Sequence, residues 1–238
     1  MRGRFRVEVP STRPLRADIA DGLRHLWGHR VLRALSVFAG ALNFANAAYF
    51  AVFVLWIVGD ESRVGLSPRG YGLVAAVTAL AAVTALGAVT GSLPAEKLSR
   101  RAGQVSALII ADLVNGALLL VPVFLPTIAA IGLTAALLGA TNAVSDVVLV
   151  SLRQRIIREE SLGRVNAAIR LIGMGAAPLG AAAGGFLGAR AGLPAVFCAA
   201  AVLRLVAVVL VSRPVTNRSV AAAERAAQEA EAVLRSAV

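Results

Sequence analysis

Four ionisable residues lie inside long apolar runs of this sequence: Asp112, Asp146, Arg170 and Arg204. A charge at the centre of a membrane-spanning helix costs about 2.5–3.5 kcal/mol on insertion scales, so such a side chain needs an opposite charge or a water-filled space. Intramembrane carboxylates and guanidinium groups join helices as ion pairs, or they relay protons and control gates. The four residues are therefore candidates both for structural pairing and for function.

Depth sorts the four charges into two couples of opposite sign. Counted at ~1.5 Å per residue from the nearer arginine-rich end of each run, Asp112 and Arg204 lie roughly 12 Å deep, and Asp146 and Arg170 roughly 8–9 Å deep. We therefore predict two ion pairs, Asp112–Arg204 and Asp146–Arg170. The first is interpreted mainly as a link between helices. For the second, a gate or proton relay is an equal alternative, because a charge-dense loop adjoins it.

Composition places the chain among membrane proteins. Hydrophobic residues make up 58% of the sequence and the mean hydropathy is +0.77, whereas soluble domains are about 45–50% apolar. The net charge of +11 is compatible with nucleic-acid binding. However, the arginines stand at the ends of apolar runs and form no basic face with interleaved aromatics, so this class is excluded.

Membrane-spanning segments follow from the length of the apolar runs, since about 20 apolar residues cross the hydrocarbon core. Six runs qualify: 34–58, 71–93, 104–122, 127–150, 166–189 and 195–212. The predicted fold is an all-α integral membrane bundle of six transmembrane helices over 34–212. Residues 1–33 form a linker with an amphipathic helix in the headgroup region, and residues 213–238 form an alanine-rich helical tail, interpreted as solvated.

Charge asymmetry predicts the orientation. Nineteen Lys and Arg residues fall in the two ends and two of the connections, against three in the alternate connections. Because positive residues stay on the cytoplasmic side, both termini are predicted to be cytoplasmic. The arginine- and alanine-rich composition suggests a bacterial plasma membrane.

Polar side chains form stripes on two of the predicted spans. Asn43, Asn46 and Tyr49 lie on the first span, and Thr141 and Asn142 on the fourth. Such side chains are costly in lipid unless they are bonded, so both stripes should face inward. They either form hydrogen bonds between helices or line a cavity for a substrate.

The sequence contains few residue patterns that would indicate a metal site, a cofactor site or an enzyme. His25 and His29 have the i,i+4 spacing of metal ligands but no third ligand nearby, so no metal site is predicted. Cys198 is the single cysteine. No cofactor motif occurs, and both histidines precede the first span, so an intramembrane enzyme with a histidine base is not expected.

Three stretches resemble a known transporter family. The run SLRQRIIREESLGRVNAAIRLIGMGAAPLGAAAGG, residues 151–185, resembles the tenth-to-eleventh helix region of bacterial major facilitator exporters, in the branch of macrolide-efflux and enterobactin-export proteins. The stretch GSLPAEKLSRRAG resembles the loop motif of the C-terminal half, with Gly91, Glu96, Arg100 and Arg101 at the pattern positions. LRADIADGLRHLWGHRVLRAL resembles the linker into the seventh helix.

The resemblance implies half of a twelve-helix fold, built from two three-helix units of inverted topology. The first and fourth helices would line the cavity, the third and sixth would be neighbours, and the fourth and fifth would adjoin. It implies proton-coupled efflux of a small amphipathic molecule such as a drug, macrolide or siderophore. Such a half requires an N-terminal six-helix half or self-association.

Two other interpretations stay open. The chain is compatible with a truncated or inactive transporter fragment, or a membrane scaffold without transport. It is also compatible with the membrane domain of an ATP-driven pump, although no P-loop is present and a nucleotide-binding partner would be needed.

The orientation is testable by cysteine labelling. With Cys198 replaced by alanine, a cysteine at Gln154 should react with a membrane-impermeant maleimide only after the membrane is permeabilised, because this loop is predicted to be cytoplasmic. A cysteine at Ser67, in an alternate connection, is the control and should react in intact cells. Labelling of position 154 in intact cells contradicts the orientation.

Overall fold

The computed structural model describes residues 15–57, 79, 81–91, 99, 101–157 and 159–236. Regular structure in this part of the chain is helical, as the long apolar runs predict. The helices are α1 (Leu15–Gly28), α2 (Arg30–Ile57), α3 (Ala81–Gly91), α4 (Gln104–Leu118), α5 (Val121–Phe124), α6 (Ile128–Ile156), α7 (Glu159–Ala191), α8 (Leu193–Ser212) and α9 (Asn217–Ser236).

Within the described residues, five helical segments are long and apolar enough to cross a membrane. They are α2, α4 continued through α5 to Phe124, α6, most of α7, and α8. Of the predicted second span, 71–93, the structure describes little more than α3, a shorter apolar helix. The count of six spans therefore stays a prediction.

Two helices extend further than the apolar runs suggested. α6 continues to Ile156 and α7 begins at Glu159, so the charged loop between them is mostly helical. The 29 residues of α6 measure about 43 Å, compared with about 30 Å of hydrocarbon. α6 is therefore longer than the hydrocarbon core is thick.

α2 is the centre of the bundle. It packs against α7 on one side and α8 on another, and α4 packs against both α6 and α8. By contrast, α6 and α7 share no extended contact in the described residues. The expected adjacency of the fourth and fifth spans is therefore wrong for this structure, whereas that of the third and sixth is confirmed.

Glycines allow the closest helix contacts. On α7, Gly180 and Gly184 lie against the backbone of α2 at Phe44 and Ala48. Gly87 and Gly91 of α3 lie in the same way against Ala136 and Ala140 of α6. In lipid no hydrophobic effect drives helices together, so close backbone packing of this kind supplies much of the attraction.

The C-terminal helix α9 is not a solvated tail along its whole length. Val215, just before α9, and Val220 are buried in the core, and Arg155 of α6 forms an ion pair of 3.6 Å with Glu224. The backbone N–H of Val105 donates to Asn217 Oδ1 at 3.3 Å. The tail, which the sequence predicts to be solvated, thus packs on one end of the bundle through the valines of its first part.

The amphipathic helix α1 is present and packs on the start of α7. Leu26 is completely buried, and Gly22 lies against the backbone of Arg164. Trp27 remains 49% exposed. One side of α1 is thus attached to protein, and Trp27 is left at its outer surface.

Neighbouring glycines of α7 offer a matched test of the α2–α7 contact. A methyl group at Gly184 would lie 2.6 Å from the carbonyl oxygen of Ala48, whereas at Gly185 nothing lies within 4 Å. Alanine is a better helix former than glycine by about 1 kcal/mol. In detergent, Gly184→Ala should lower the thermal unfolding midpoint by several degrees, and Gly185→Ala should leave it equal or slightly higher. Equal effects at both positions would contradict this packing.

Candidate functional site

Asp112 and Arg204 form an ion pair at the centre of the bundle. Arg204 donates to Asp112 Oδ1 from Nη2 at 2.7 Å and from Nε at 3.0 Å. Both side chains have an exposed fraction of 0%. The pairing that depth predicted is present, and it joins α4 to α8.

Neutral side chains complete the bonding of the pair. Arg204 also donates from Nη1 to Asn46 Oδ1 at 2.8 Å and from Nη2 to Asn142 Oδ1 at 3.0 Å. The hydroxyl of Ser145 donates to Asp112 Oδ2 at 3.0 Å. Both carboxylate oxygens and all three guanidinium nitrogens therefore have partners, as a buried ion pair requires.

Asn115 extends the network between α4 and α6. Its amide donates to Thr141 Oγ1 at 2.7 Å and to Asn142 Oδ1 at 3.2 Å. Ser145 belongs to the polar stripe predicted on the fourth span, whereas Asn115 was not predicted. The place of Asn115 in an apolar span that also carries Asp112 was the available signal. We call the ion pair and the four polar side chains that extend its bonding the central network: Asn46, Asp112, Asn115, Asn142, Ser145 and Arg204.

The predicted cavity residues fall into different environments. Asn46, Thr141 and Asn142 bond in or to the central network. Tyr49 is fully buried, with ring centroids 4.9 Å from Phe53 and 5.0 Å from Phe197. Asn43 is exposed, and its amide donates to Ala39 O of the preceding turn at 2.9 Å.

Asn43 opens onto a pocket of about 460 Å³ between α2, α6 and α7. We call it the polar pocket; its polar lining is Asn43, Asp146, Arg153, Asn166 and Arg170. Asp146 and Arg170 are both exposed there. An exposed carboxylate thus lies among amides and guanidinium groups, within the length of a membrane-spanning helix.

The predicted pair Asp146–Arg170 is not formed. No hydrogen bond or ion pair joins these two side chains, both of which the structure describes. The reason is that α6 and α7 stand on opposite sides of the polar pocket and do not pack together. Asp146 instead shares the lining of the polar pocket with Arg153 of its own helix.

Arg153 is a candidate residue that the sequence analysis missed. It follows Asp146 by seven residues, which is two helical turns, and so lies on the same face of α6. Its Nε and Nη2 atoms are buried and have no hydrogen-bond partner among the described residues. The i,i+7 spacing was the available signal.

The other predicted site residues are only partly described. Gly91 ends α3 against Ala140 of α6, and Arg101 is exposed in a helical turn before α4. Glu96 and Arg100 lie outside the described residues. The described part of the chain contains no group of three His, Cys, Asp or Glu residues that could hold a metal ion.

Comparison with known families decides what kind of protein this is. The family model described as Major Facilitator Superfamily matches residues 8–237, nearly the whole chain. The chain belongs to the major facilitator superfamily. It is accordingly a multi-pass membrane protein of a transporter family, consistent with its long apolar helices. Searches of curated proteins and of solved structures give no match to the chain.

The buried pair in this major facilitator protein can be tested by a double-mutant cycle. Arg204→Met alone strands a buried carboxylate and Asp112→Leu alone strands a buried guanidinium group, at a cost of about 3–5 kcal/mol each. The double variant should unfold at a higher temperature than either single variant. It should stay below the wild type, because Asn46 and Asn142 still lose their donor.

Thermal unfolding in detergent, followed by tryptophan fluorescence, measures the three variants. A double variant that loses as much stability as the two single variants added together would show that Asp112 and Arg204 do not depend on each other.

Proposed function

We propose that this chain is one six-helix half of a proton-coupled efflux transporter for a small amphipathic molecule. The observation that carries the proposal is the polar pocket, in which the exposed carboxylate of Asp146 lies beside Asn43, Asn166 and Arg170. The superfamily supplies the class of activity. The pocket supplies a place for the substrate and a group for the proton.

Asp146 is suited to exchange protons because it is exposed within a spanning segment, whereas Asp112 is buried and fully bonded. A proton and the basic amine of a substrate would compete for the carboxylate of Asp146. Protonation removes the negative charge from a pocket that also holds Arg153 and Arg170, so the pocket then repels a cationic substrate. Binding of a proton from outside would thereby favour release of the substrate.

A second membrane body would complete the site. Only 11% of the apolar segment of α7 is buried, against 44% in each of the other four candidate spans. Leu171, Met174 and Phe186 are exposed along it. The exposed charges of Asp146 and Arg170 lie in the polar pocket beside α7. Charged side chains in a membrane face protein or water rather than lipid. The partner is an N-terminal six-helix half or a second copy of this chain, since alternating access requires two bodies around one site.

Orientation and location complete the proposal. We place both ends of the chain in the cytoplasm of a bacterial cell and its helices in the plasma membrane, with six spans arranged as two inverted units of three. The excess of arginine in the ends and alternate loops supports this arrangement.

Substrate accumulation in a bacterial host without its own main efflux pumps tests the function. The full chain is expressed alone and with candidate N-terminal halves, and cellular ethidium and radiolabelled erythromycin are measured. The competent combination should lower accumulation several-fold, and a protonophore should abolish the difference. Asp146→Asn should lose the effect because the residue can no longer exchange a proton. Asp21→Asn makes the same chemical change on α1, outside the spanning helices, and should keep it.

Several results would contradict the proposal. Efflux that persists in Asp146→Asn removes this carboxylate from the coupling, and efflux that survives the protonophore removes the proton. No change in accumulation in any combination, with the chain inserted in the membrane, favours a scaffold or inactive fragment instead.

A further inference from the structure

A second cavity, of about 640 Å³, lies between α2 and α8, next to the C-terminal end of α1. Its walls along the two spanning helices are apolar: Val37, Phe38, Ala41, Leu203, Val206 and Leu210. Several of these side chains, including Val37, Val206 and Leu210, are about half exposed. We call this cavity the arginine groove, because of the residues at its mouth.

Three arginines stand at one end of the groove. Arg30 and Arg33 begin α2, and Arg213 follows α8, so the antiparallel helices bring them to the same membrane side. All three are exposed, and the groove's lining, as far as the structure describes it, contains no acidic residue. Among the described residues none of the three forms an ion pair, although Arg33 donates to the carbonyl oxygen of Trp27 at 3.2 Å. The mouth therefore carries positive charge that no acidic side chain in the described part of the chain neutralises.

The length of the groove matches one leaflet of a bilayer. From Arg213 to Leu203 along α8 is ten residues, or about 15 Å at 1.5 Å per residue. The hydrocarbon core is about 30 Å thick, so one leaflet provides about 15 Å. Trp27, which is half exposed, lies at the mouth of the groove. This position fits a membrane–water interface, because tryptophan is enriched there.

We propose that the arginine groove is a binding site for an anionic phospholipid of the leaflet next to the arginine-rich side. The phosphate group is held by Arg30, Arg33 and Arg213, since guanidinium groups bind phosphate oxygens in pairs. One acyl chain lies along the apolar walls between α2 and α8. Charge complementarity selects an anionic lipid over a zwitterionic one, and the apolar wall selects a lipid over a free phosphate ion.

This site is separate from the polar pocket. The groove and the polar pocket use nearly opposite sides of α2: Val37 and Ala41 line the first, and Ala39 and Asn43 the second. Leu203, in the wall of the groove, is the neighbour of Arg204 in the chain. A lipid in the groove therefore lies along α2 and α8 without reaching the proposed substrate pocket.

Native mass spectrometry of the purified full chain tests lipid selection. The chain is equilibrated with equal amounts of phosphatidylglycerol and phosphatidylcholine, and the retained lipids are counted. We expect the wild type to retain phosphatidylglycerol with about tenfold preference, on the basis of the attraction of each basic side chain to anionic headgroups. The variant Arg30→Gln/Arg33→Gln/Arg213→Gln should reduce this preference to about twofold or less.

The matched control removes the same charge elsewhere. Arg101→Gln/Arg218→Gln/Arg225→Gln changes three exposed arginines outside the groove and should keep the preference within about twofold of the wild type. Equal loss in both triple variants would show attraction to net charge alone and overturn the site. An unchanged preference in the groove variant would overturn it as well.

Tryptophan fluorescence gives a second measurement, which does not need the triple variant to fold. The sequence has two tryptophans, so Trp56→Phe leaves Trp27 as the reporter. Phosphatidylglycerol brominated near the headgroup end of its acyl chain should quench Trp27 several-fold more than the same bromination in phosphatidylcholine. Equal quenching, or none because protein covers the groove, would overturn the proposal. Loss of transport with lipid selection intact would count only against the proposed function.

Discussion

The ion pair between Arg204 and Asp112 sets the conditions under which the rest of the bundle can form. Neither charge reaches the surface, and a bilayer offers no water to replace missing hydrogen bonds. The structure meets this requirement by bringing α2 and α6 alongside α4 and α8, so that Asn46, Asn142 and Ser145 supply the remaining partners. Four helices from distant parts of the chain are thus fixed in rotation and depth around one guanidinium group.

Charges left outside the central network carry the functional interpretation. Asp146 and Arg170 are not paired with each other, because the polar pocket separates their helices. α7 is attached mainly to α2, through the glycines that allow the two backbones to approach, and much of its remaining surface is exposed. The same arrangement that leaves α7 uncovered keeps the carboxylate of Asp146 accessible. Packing and candidate function therefore have one cause: α7 packs against α2, α1 and α8 but not against α6.

Different parts of α2 serve three environments. One side contributes Asn46 to the central network, another lines the polar pocket with Asn43, and a third forms the arginine groove with Val37. The polar stripe on this helix predicted inward-facing residues but did not separate those that bond to other helices from those that face a pocket. Tyr49 shows the same ambiguity, since it lies in an aromatic cluster with Phe53 and Phe197 rather than in a cavity.

The sequence by itself determined the membrane class, five of the long apolar helices, the superfamily resemblance and the pairing of Asp112 with Arg204. These features depend on composition, run length and depth, which are linear properties of the chain. Only the tertiary structure decided that Asp146 lines the polar pocket unpaired with Arg170, that α9 packs on the bundle, and that α6 and α7 stand apart. The reason is rotational: depth fixes the height of a residue in the membrane, whereas the direction of its side chain depends on how every neighbouring helix is turned against it.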